Sequence, residues 1–390
     1  MTLEPPRPPE TNHDEAVHAR YGAAAAIREP ALCCPVSYDP RYLAVIPPAV
    51  LERDYGCGDP SRWVREGETV LDLGSGGGKI CFIAAQIAGP TGRVIGVDAN
   101  LEMLSLANEA RPVVARALGY DNVEFRRGRI QDLDLDLDAL DAWLRENPVR
   151  DVASLATLEA RRETLRREQP LVPDASVDLV VSNCVLNLVR EADKSRLLRE
   201  IFRVLKVGGR IAISDIVSDE PVPERLKANP ELWSGCVSGA FQERALLAEL
   251  EAAGFHGLRI EEWIEEPFAV VDGIEFRSVT VTAHKGKHGP CYETHQAVVY
   301  RGPWRRVEDD DGHELVRGER TAVCEKTYRL LTSGPYAAET LAVPSRLEVP
   351  EAEPRPFDCA RPRLRDPRET KGEAYCKTEV RVCGPDEPCC

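Results

Sequence analysis

Four cysteines, Cys57, Cys81, Cys184 and Cys236, stand beside segments that read as ligand loops. Thiols in such places hold soft metals and metalloids or act as nucleophiles. Cys81 closes the stretch Val70-Leu-Asp-Leu-Gly-Ser-Gly-Gly-Gly-Lys-Ile-Cys81. Cys184 ends a predicted strand, Cys236 sits in a Gly/Ser-flanked segment, and Cys57 lies between Gly56 and Gly58. A free cysteine is most often a small buried hydrophobe, and Cys291, Cys324 and Cys359 are read that way. Position separates the first four from the other thiols.

The elements that must position these residues follow from the pattern. Apolar residues 70–73 run into glycines and then into an apolar helical run, which predicts a strand, tight turn and helix. The glycines let backbone approach a ligand, and the helix start offers free N–H groups, so a cofactor site is the natural reading. Arg93–Asp98 reads as a second strand whose terminal acid sits where a βαβ fold holds ribose hydroxyls. Val123–Arg127 is a third strand, Val177–Ser182 a fourth ending at Cys184, and Arg210–Asp215 a fifth, after a helix over 194–205 capped by Gly208-Gly209. The alternation predicts an α/β fold with a doubly wound parallel sheet. Residues 133–169 break it as an inserted helical hairpin.

The rest is peripheral to that sheet. Residues 1–30 read as a mobile lead with a short helix at 16–27. The sheet domain spans 31–290, residues 291–349 form a small β-rich domain with a strand at 327–331, and 350–390 form a poorly ordered tail containing Cys376, Cys383, Cys389 and Cys390.

A length of 390 residues with 43% hydrophobic content supports a substantial core. The formal net charge of −15 argues against a nucleic-acid or anionic-membrane partner. No apolar run reaches a membrane span, and the first residues lack the pattern of an export signal, so a cytoplasmic location is expected. Thiols in a reducing compartment are ligands, nucleophiles or packing residues before they are bridges.

Asp72 before the loop, Asp98, and the block Phe202-Arg-Val-Leu-Lys-Val-Gly-Gly-Arg210 together resemble the class I S-adenosylmethionine-dependent methyltransferases. The resemblance implies a Rossmann-like sheet with helices on both faces. It also implies cofactor contacts from Asp72, Gly74, Ser75, Gly76, Gly78, Asp98, Ala99, Met103, Arg129, Ile130 and Asn183. Beside a methyl sulfonium, thiolates suit a soft acceptor, and histidine is scarce, at 7 residues. Three thiolates around trivalent arsenic leave its lone pair free to attack the methyl carbon, with no proton to remove and orientation as the main catalytic contribution.

Tyr55-Gly-Cys57-Gly, Asp72-Leu-Gly-Ser-Gly, Cys81, Ser182-Asn-Cys184-Val-Leu-Asn-Leu188 and Trp233-Ser-Gly-Cys236 are similar to blocks of the arsenite methyltransferases, as is the pair Cys33-Cys34. That resemblance implies arsenite and methylated trivalent arsenicals as substrates, held by Cys184 and Cys236 with Cys81 as third thiolate. It further implies a Cys57–Cys81 disulfide formed as arsenic returns to the trivalent state, reset by thioredoxin or a similar thiol reductant. Lys79-Ile80 departs from the Arg-Asp pair common in that family. Two other readings stand beside it: a C- or O-methyltransferase of a small molecule with structural thiols, and a non-catalytic thiol protein that sequesters arsenic or another soft metal. Trp233 either lines the site or packs beneath it, and Asn187 makes either a strand-edge contact or a helix cap.

Overall fold

A computed structural model describes residues 13–27, 29, 36–286, 289–347, 355–361 and 363–375. Cys33-Cys34 and the tail thiols Cys376, Cys383, Cys389 and Cys390 lie outside them. The chain divides into two compact units, 1–286 and 287–390.

The first unit begins with helix α1 (His13–Ala26), short turns α2 (Pro40–Leu43) and α3 (Pro48–Leu51), and strand β1 (Thr69–Leu73). Then come α4 (Lys79–Ala88), β2 (Arg93–Asp98), α5 (Leu101–Leu118), β3 (Val123–Arg127), and the helices α6 (Leu137–Glu146) and α7 (Val152–Glu168) of the insertion. Strand β4 (Val177–Asn183), α8 (Glu191–Val204), β5 (Leu205–Ser218), α9 (Glu224–Lys227), α10 (Pro230–Ser234), β6 (Phe241–Gln242), α11 (Glu243–Ala252), β7 (His256–Trp263), β8 (Ala269–Val271) and β9 (Ile274–His284) complete it.

The sheet runs in the order β3-β2-β1-β4-β5-β9-β7, parallel from β3 to β5, with β9 antiparallel between β5 and β7. Strand alternation splits its side chains into two cores. Leu71, Leu73, Val180 and Ile213 face α8 and α11 through Leu197, Ile201 and Leu246, while Val70, Val94, Leu179 and Val181 face α4 and α5 through Phe82, Ile83 and Val114. Because both faces are covered, the strands read as near-continuous apolar runs. Chain direction reverses its order across the sheet between β1 and β4. Ligands of open α/β sheets bind beyond the strand ends at such a switch.

Two local readings change. Gly208-Gly209 does not cap α8: β5 already starts at Leu205, and its register against β4 jumps from Leu205 to Arg210, so the glycines form a bulge, with Gly208 at φ 85°. The short helix expected at 16–27 spans His13–Ala26, and it is packed where a mobile lead was expected. Tyr55 donates its hydroxyl to the Ala24 carbonyl at 2.9 Å, and Arg20 reaches the Glu231 carbonyl and the Ser234 hydroxyl, each at 3.1 Å. Its composition hides this, because its few buried residues are alanines and its anchors are long-range polar contacts.

The second unit holds β10 (Ala297–Tyr300), β11 (Arg306–Glu308), β12 (Glu314–Val316), β13 (Arg320–Ala322), α12 (Glu325–Leu331), β14 (Thr340–Val343) and α13 (Pro367–Lys371). The order β13-β10-β14 makes an antiparallel sheet, and β11-β12 a hairpin. The strand expected at 327–331 is the helix α12, because Cys324 caps it and Thr327 and Leu331 share its buried face. Residues 363–371, expected in a loose tail, carry the fully buried Arg365, paired to Glu293 at 2.7 Å and Glu369 at 2.6 Å.

Candidate active site

The strand ends build a pocket. β1 delivers Asp72 and the loop Gly74–Gly77, β2 delivers Asp98, Ala99 and Asn100, and residues 128–131 close one side. Asn183, Cys184 and Val185 line the other, and α1 contributes Val17, His18 and Tyr21. Gly74 (φ 66°) needs its missing side chain, since a Cβ would fall 2.4 Å from Val185. Gly76 (φ 51°) faces open space, so only backbone lies toward a ligand there.

Asp98 accepts from the backbone N–H groups of Gly76 and Asn100 at 2.9 and 2.8 Å, which ties the second-strand acid to the loop. Burial raises its carboxyl above the ordinary range. The Ser75 hydroxyl is buried and has no partner among the described residues, an atom left for a ligand to satisfy. Met103, Arg129 and Ile130, expected as cofactor contacts, line this pocket. Gly78 does not: a Cβ there would meet the ring of Phe125 at 2.7 Å, so this glycine serves packing and helix entry, and Gly77 lines the pocket instead.

Beyond the pocket the thiols collect. Cys57, Cys184 and Cys236 share one apolar cluster with Ile216, Val222, Val237 and Phe276. The Cys184 thiol is flanked by those of Cys236 and Cys57, and these two contacts, with burial, drive its pKa well above the ordinary thiol value. Burial likewise pushes Cys57 up. Cys236 lies with its Sγ 3.1 Å from the Cys184 carbonyl oxygen and 3.7 Å from the Tyr21 hydroxyl. Cys184 alone among these thiols also lines the cofactor pocket.

Cys81, expected with Cys184 and Cys236 in one ligand set, stands apart from them in this structure. It sits in the first turn of α4, fully buried in the α4-side core, and its Sγ donates to Asp72 at 3.2 Å. The helix phase turns it toward β1 and β2, where Gly96 leaves room: a Cβ on that residue would come within 2.9 Å of the sulfur. Burial and the Asp72 carboxylate hold this thiol well above its ordinary pKa, and burial raises Asp72 to about 7. The structure thus groups Cys57, rather than Cys81, with Cys184 and Cys236 in one apolar cluster.

Two asparagines fix that grouping. Asn183 accepts from the N–H groups of Cys57 and Gly58 at 2.9 and 3.1 Å and donates to the Gly58 carbonyl at 2.8 Å, so its side chain serves the Cys57 loop as well as the pocket wall. Asn187 is a buried polar contact and no helix cap. Its Nδ2 donates to Asp215, to the Ile216 carbonyl and to the Cys236 carbonyl, and its Oδ1 accepts from the Phe241 N–H. Asp215, raised to about 7 by burial, also accepts from the Leu186 N–H at 2.9 Å. Trp233 packs beneath the segment, its indole N–H on the Leu188 carbonyl and its ring stacked on His13 at 4.2 Å. Asp215 and Tyr21 were missed by sequence reasoning. Only the position of Asp215 at a strand end signalled it, and nothing local signalled Tyr21.

Residues 65–169 and 162–254 match a family profile described as a methyltransferase domain, and 287–375 match one described as a domain of unknown function (DUF8838). An arsenite methyltransferase of Aquipseudomonas alcaligenes is 32% identical over 78% of this chain and 82% of its own length. The chain belongs to the arsenite methyltransferase family. The family's mouse arsenite methyltransferase is 29% identical over 82% of this chain and 78% of its own. A crystal structure of an arsenic(III) S-adenosylmethionine methyltransferase from Chlamydomonas reinhardtii superposes with TM-score 0.55 at 27% identity, covering 85% of this chain and all of that one.

As a member of this family the protein is a class I S-adenosylmethionine-dependent methyltransferase. The unpartnered Ser75 hydroxyl, the open backbone at Gly76 and the Asp98 carboxylate fit that cofactor. No helix among the described residues is long and apolar enough to cross a membrane.

Proposed function

We propose that this methyltransferase methylates trivalent arsenic held by Cys57, Cys184 and Cys236. The observation that carries the reading is the double placement of Cys184, which lines the cofactor pocket and is flanked by the two other thiols. Buried thiols, with Cys57 and Cys184 held above their ordinary pKa, are poor sites for a cation, yet they suit arsenous acid. Each thiol proton leaves with an arsenic-bound hydroxide as water, and the tris-thiolate product is neutral, so the apolar surroundings impose no charge burial.

S-adenosylmethionine supplies an electrophilic methyl group. Asp98 and the glycine loop orient it, Cys184 keeps the arsenic lone pair at the shared wall, and the apolar cluster excludes water. Transfer takes arsenic formally to the pentavalent state. Two cluster sulfurs that close a disulfide return the two electrons, and an external dithiol of the thioredoxin class reopens the bridge. Such thiol cycling requires a reducing compartment, which is why a cytoplasmic location is proposed.

The test is direct. Purified protein with S-adenosylmethionine, a thiol reductant and arsenite should release methylated arsenic species, read by chromatography with arsenic detection. Bound cofactor without any methylated arsenic would sink the reading in favour of another small-molecule acceptor, and saturable arsenite binding without turnover would favour sequestration.

A further inference from the structure

A second group of thiols lies in the C-terminal unit, and the methyl-transfer chemistry does not use it. The sulfurs of Cys291, Cys324 and Cys359 all lie within 4.8 Å of one another. No histidine or carboxylate ligand atom of the described residues joins them. These cysteines, read from the sequence as packing residues, come from three segments far apart in the chain.

Backbone pairing brings the segments together. The Phe357 N–H donates to the Cys291 carbonyl at 2.8 Å, the Glu293 N–H to the Arg355 carbonyl at 2.8 Å, and the Glu325 N–H to the Tyr292 carbonyl at 2.9 Å. The Ala322 N–H donates to the Arg363 carbonyl, and the Arg365 N–H to the Arg320 carbonyl, at 2.9 and 2.8 Å. Arg365, with no side-chain exposure, locks the same segment to Glu293. The convergence of sulfurs is thus built into the fold and needs no rearrangement to bind, which lowers the ordering cost of a ligand.

The three positions divide the work. Cys324 is buried, and its Sγ accepts the Thr327 N–H at 3.3 Å and lies 3.2 Å from the Thr327 hydroxyl, so its sulfur is oriented and supplied with donors. Cys291 and Cys359 are only half-buried and leave a way in. Zinc in a structural site takes four ligands in a tetrahedron, and three sulfurs leave it one short with a net negative charge. Trivalent arsenic needs only three, because its lone pair occupies the fourth direction, and soft thiolates select it.

We propose that Cys291, Cys324 and Cys359 form a second, three-thiolate binding site for trivalent arsenic, in a unit separate from the methyl-transfer domain. Arsenous acid and three thiols give the tris-thiolate and three waters, with no change of oxidation state. The site stands on its sulfur geometry and holds whether or not the first unit methylates arsenic.

The experiment uses the reduced full-length chain and sodium arsenite, with retained arsenic counted by mass spectrometry after desalting. Cys359→Ser and Cys291→Ser should each lose one bound arsenic per chain, both in the native background and in one carrying Cys184→Ser and Cys236→Ser. Retained S-adenosylmethionine binding and an unchanged unfolding midpoint exclude misfolding. In the unmutated chain, arsenite should protect Cys291, Cys324 and Cys359 together from alkylation, read peptide by peptide. Unchanged arsenic content in both variants, equal alkylation with and without arsenite, or a tightly held zinc at these cysteines that arsenite does not displace would each overturn the proposal. Methylation by the native chain is assayed separately, so loss of this site and failure of the methyl-transfer reading are distinguishable.

Discussion

Cys236 donates its thiol to the carbonyl oxygen of Cys184 across 3.1 Å, and both residues hold a left-handed backbone, at φ 60° and 62°. That conformation costs a non-glycine residue about 1–2 kcal/mol. Glycine would satisfy both turns without strain, so the two cysteines are kept at the expense of local stability. Strain of this kind clusters at functional sites. Asn187 and Asp215 hold the two turns against each other, which is what over-determines the conformation.

The strain is measurable at Cys184. Glycine at an ordinary buried position is less stable than alanine by about 0.5–1 kcal/mol. At φ 62° the order should close or reverse, with Cys184→Gly unfolding in denaturant no earlier than Cys184→Ala. Neither variant should methylate arsenic, and both should bind S-adenosylmethionine. An alanine variant clearly more stable than the glycine one would show that this backbone is relaxed.

Much of this architecture was legible because glycine and apolar runs dictate it. Residues 70–78 could form little other than a strand and a tight turn, and Asp98 fell at the pocket because strand ends are in register, Leu73 opposite Val97. The direction of Cys81 was not legible. Its side depends on the helix phase after Gly78 and on the space left by Gly96, a residue on another strand. The same holds for Tyr21, whose role comes from the docking of α1, and for Cys359, brought to Cys291 by backbone pairs among Pro-rich residues with no strand pattern.

Stability should fall on the acid side because of His284. Burial, with His256, Arg210 and Arg65 facing it, pushes its pKa down to about 4, while the unfolded chain titrates near the ordinary value of about 6.5. Between those values the unfolded state holds the extra proton. The stability present above the unfolded value is therefore lost as pH falls toward the folded one, with a slope of up to about 1.4 kcal/mol per pH unit. His284→Gln removes this titration, so urea midpoints of variant and native chain should converge at acid pH relative to their difference at neutral pH. Parallel midpoint curves from pH 7 to 4 would show that His284 is not held neutral.

Tyr21 should act on arsenic chemistry through Cys236 and leave the cofactor alone. Its hydroxyl lies 3.7 Å from the Cys236 sulfur, and its ring packs edge-on against Tyr55, whose own hydroxyl anchors α1. Burial and the neighbouring cysteines hold the phenol well above its ordinary pKa, so it stays a neutral donor across the working range. Tyr21→Phe keeps the ring packing and removes only the donor, worth about 1 kcal/mol, or roughly fivefold. Arsenic methylation at limiting arsenite should fall by about that factor, with S-adenosylmethionine affinity by calorimetry unchanged. A matching loss of cofactor affinity would show that Tyr21 merely supports the pocket wall, and full activity in the phenylalanine variant would remove the hydroxyl from the site altogether.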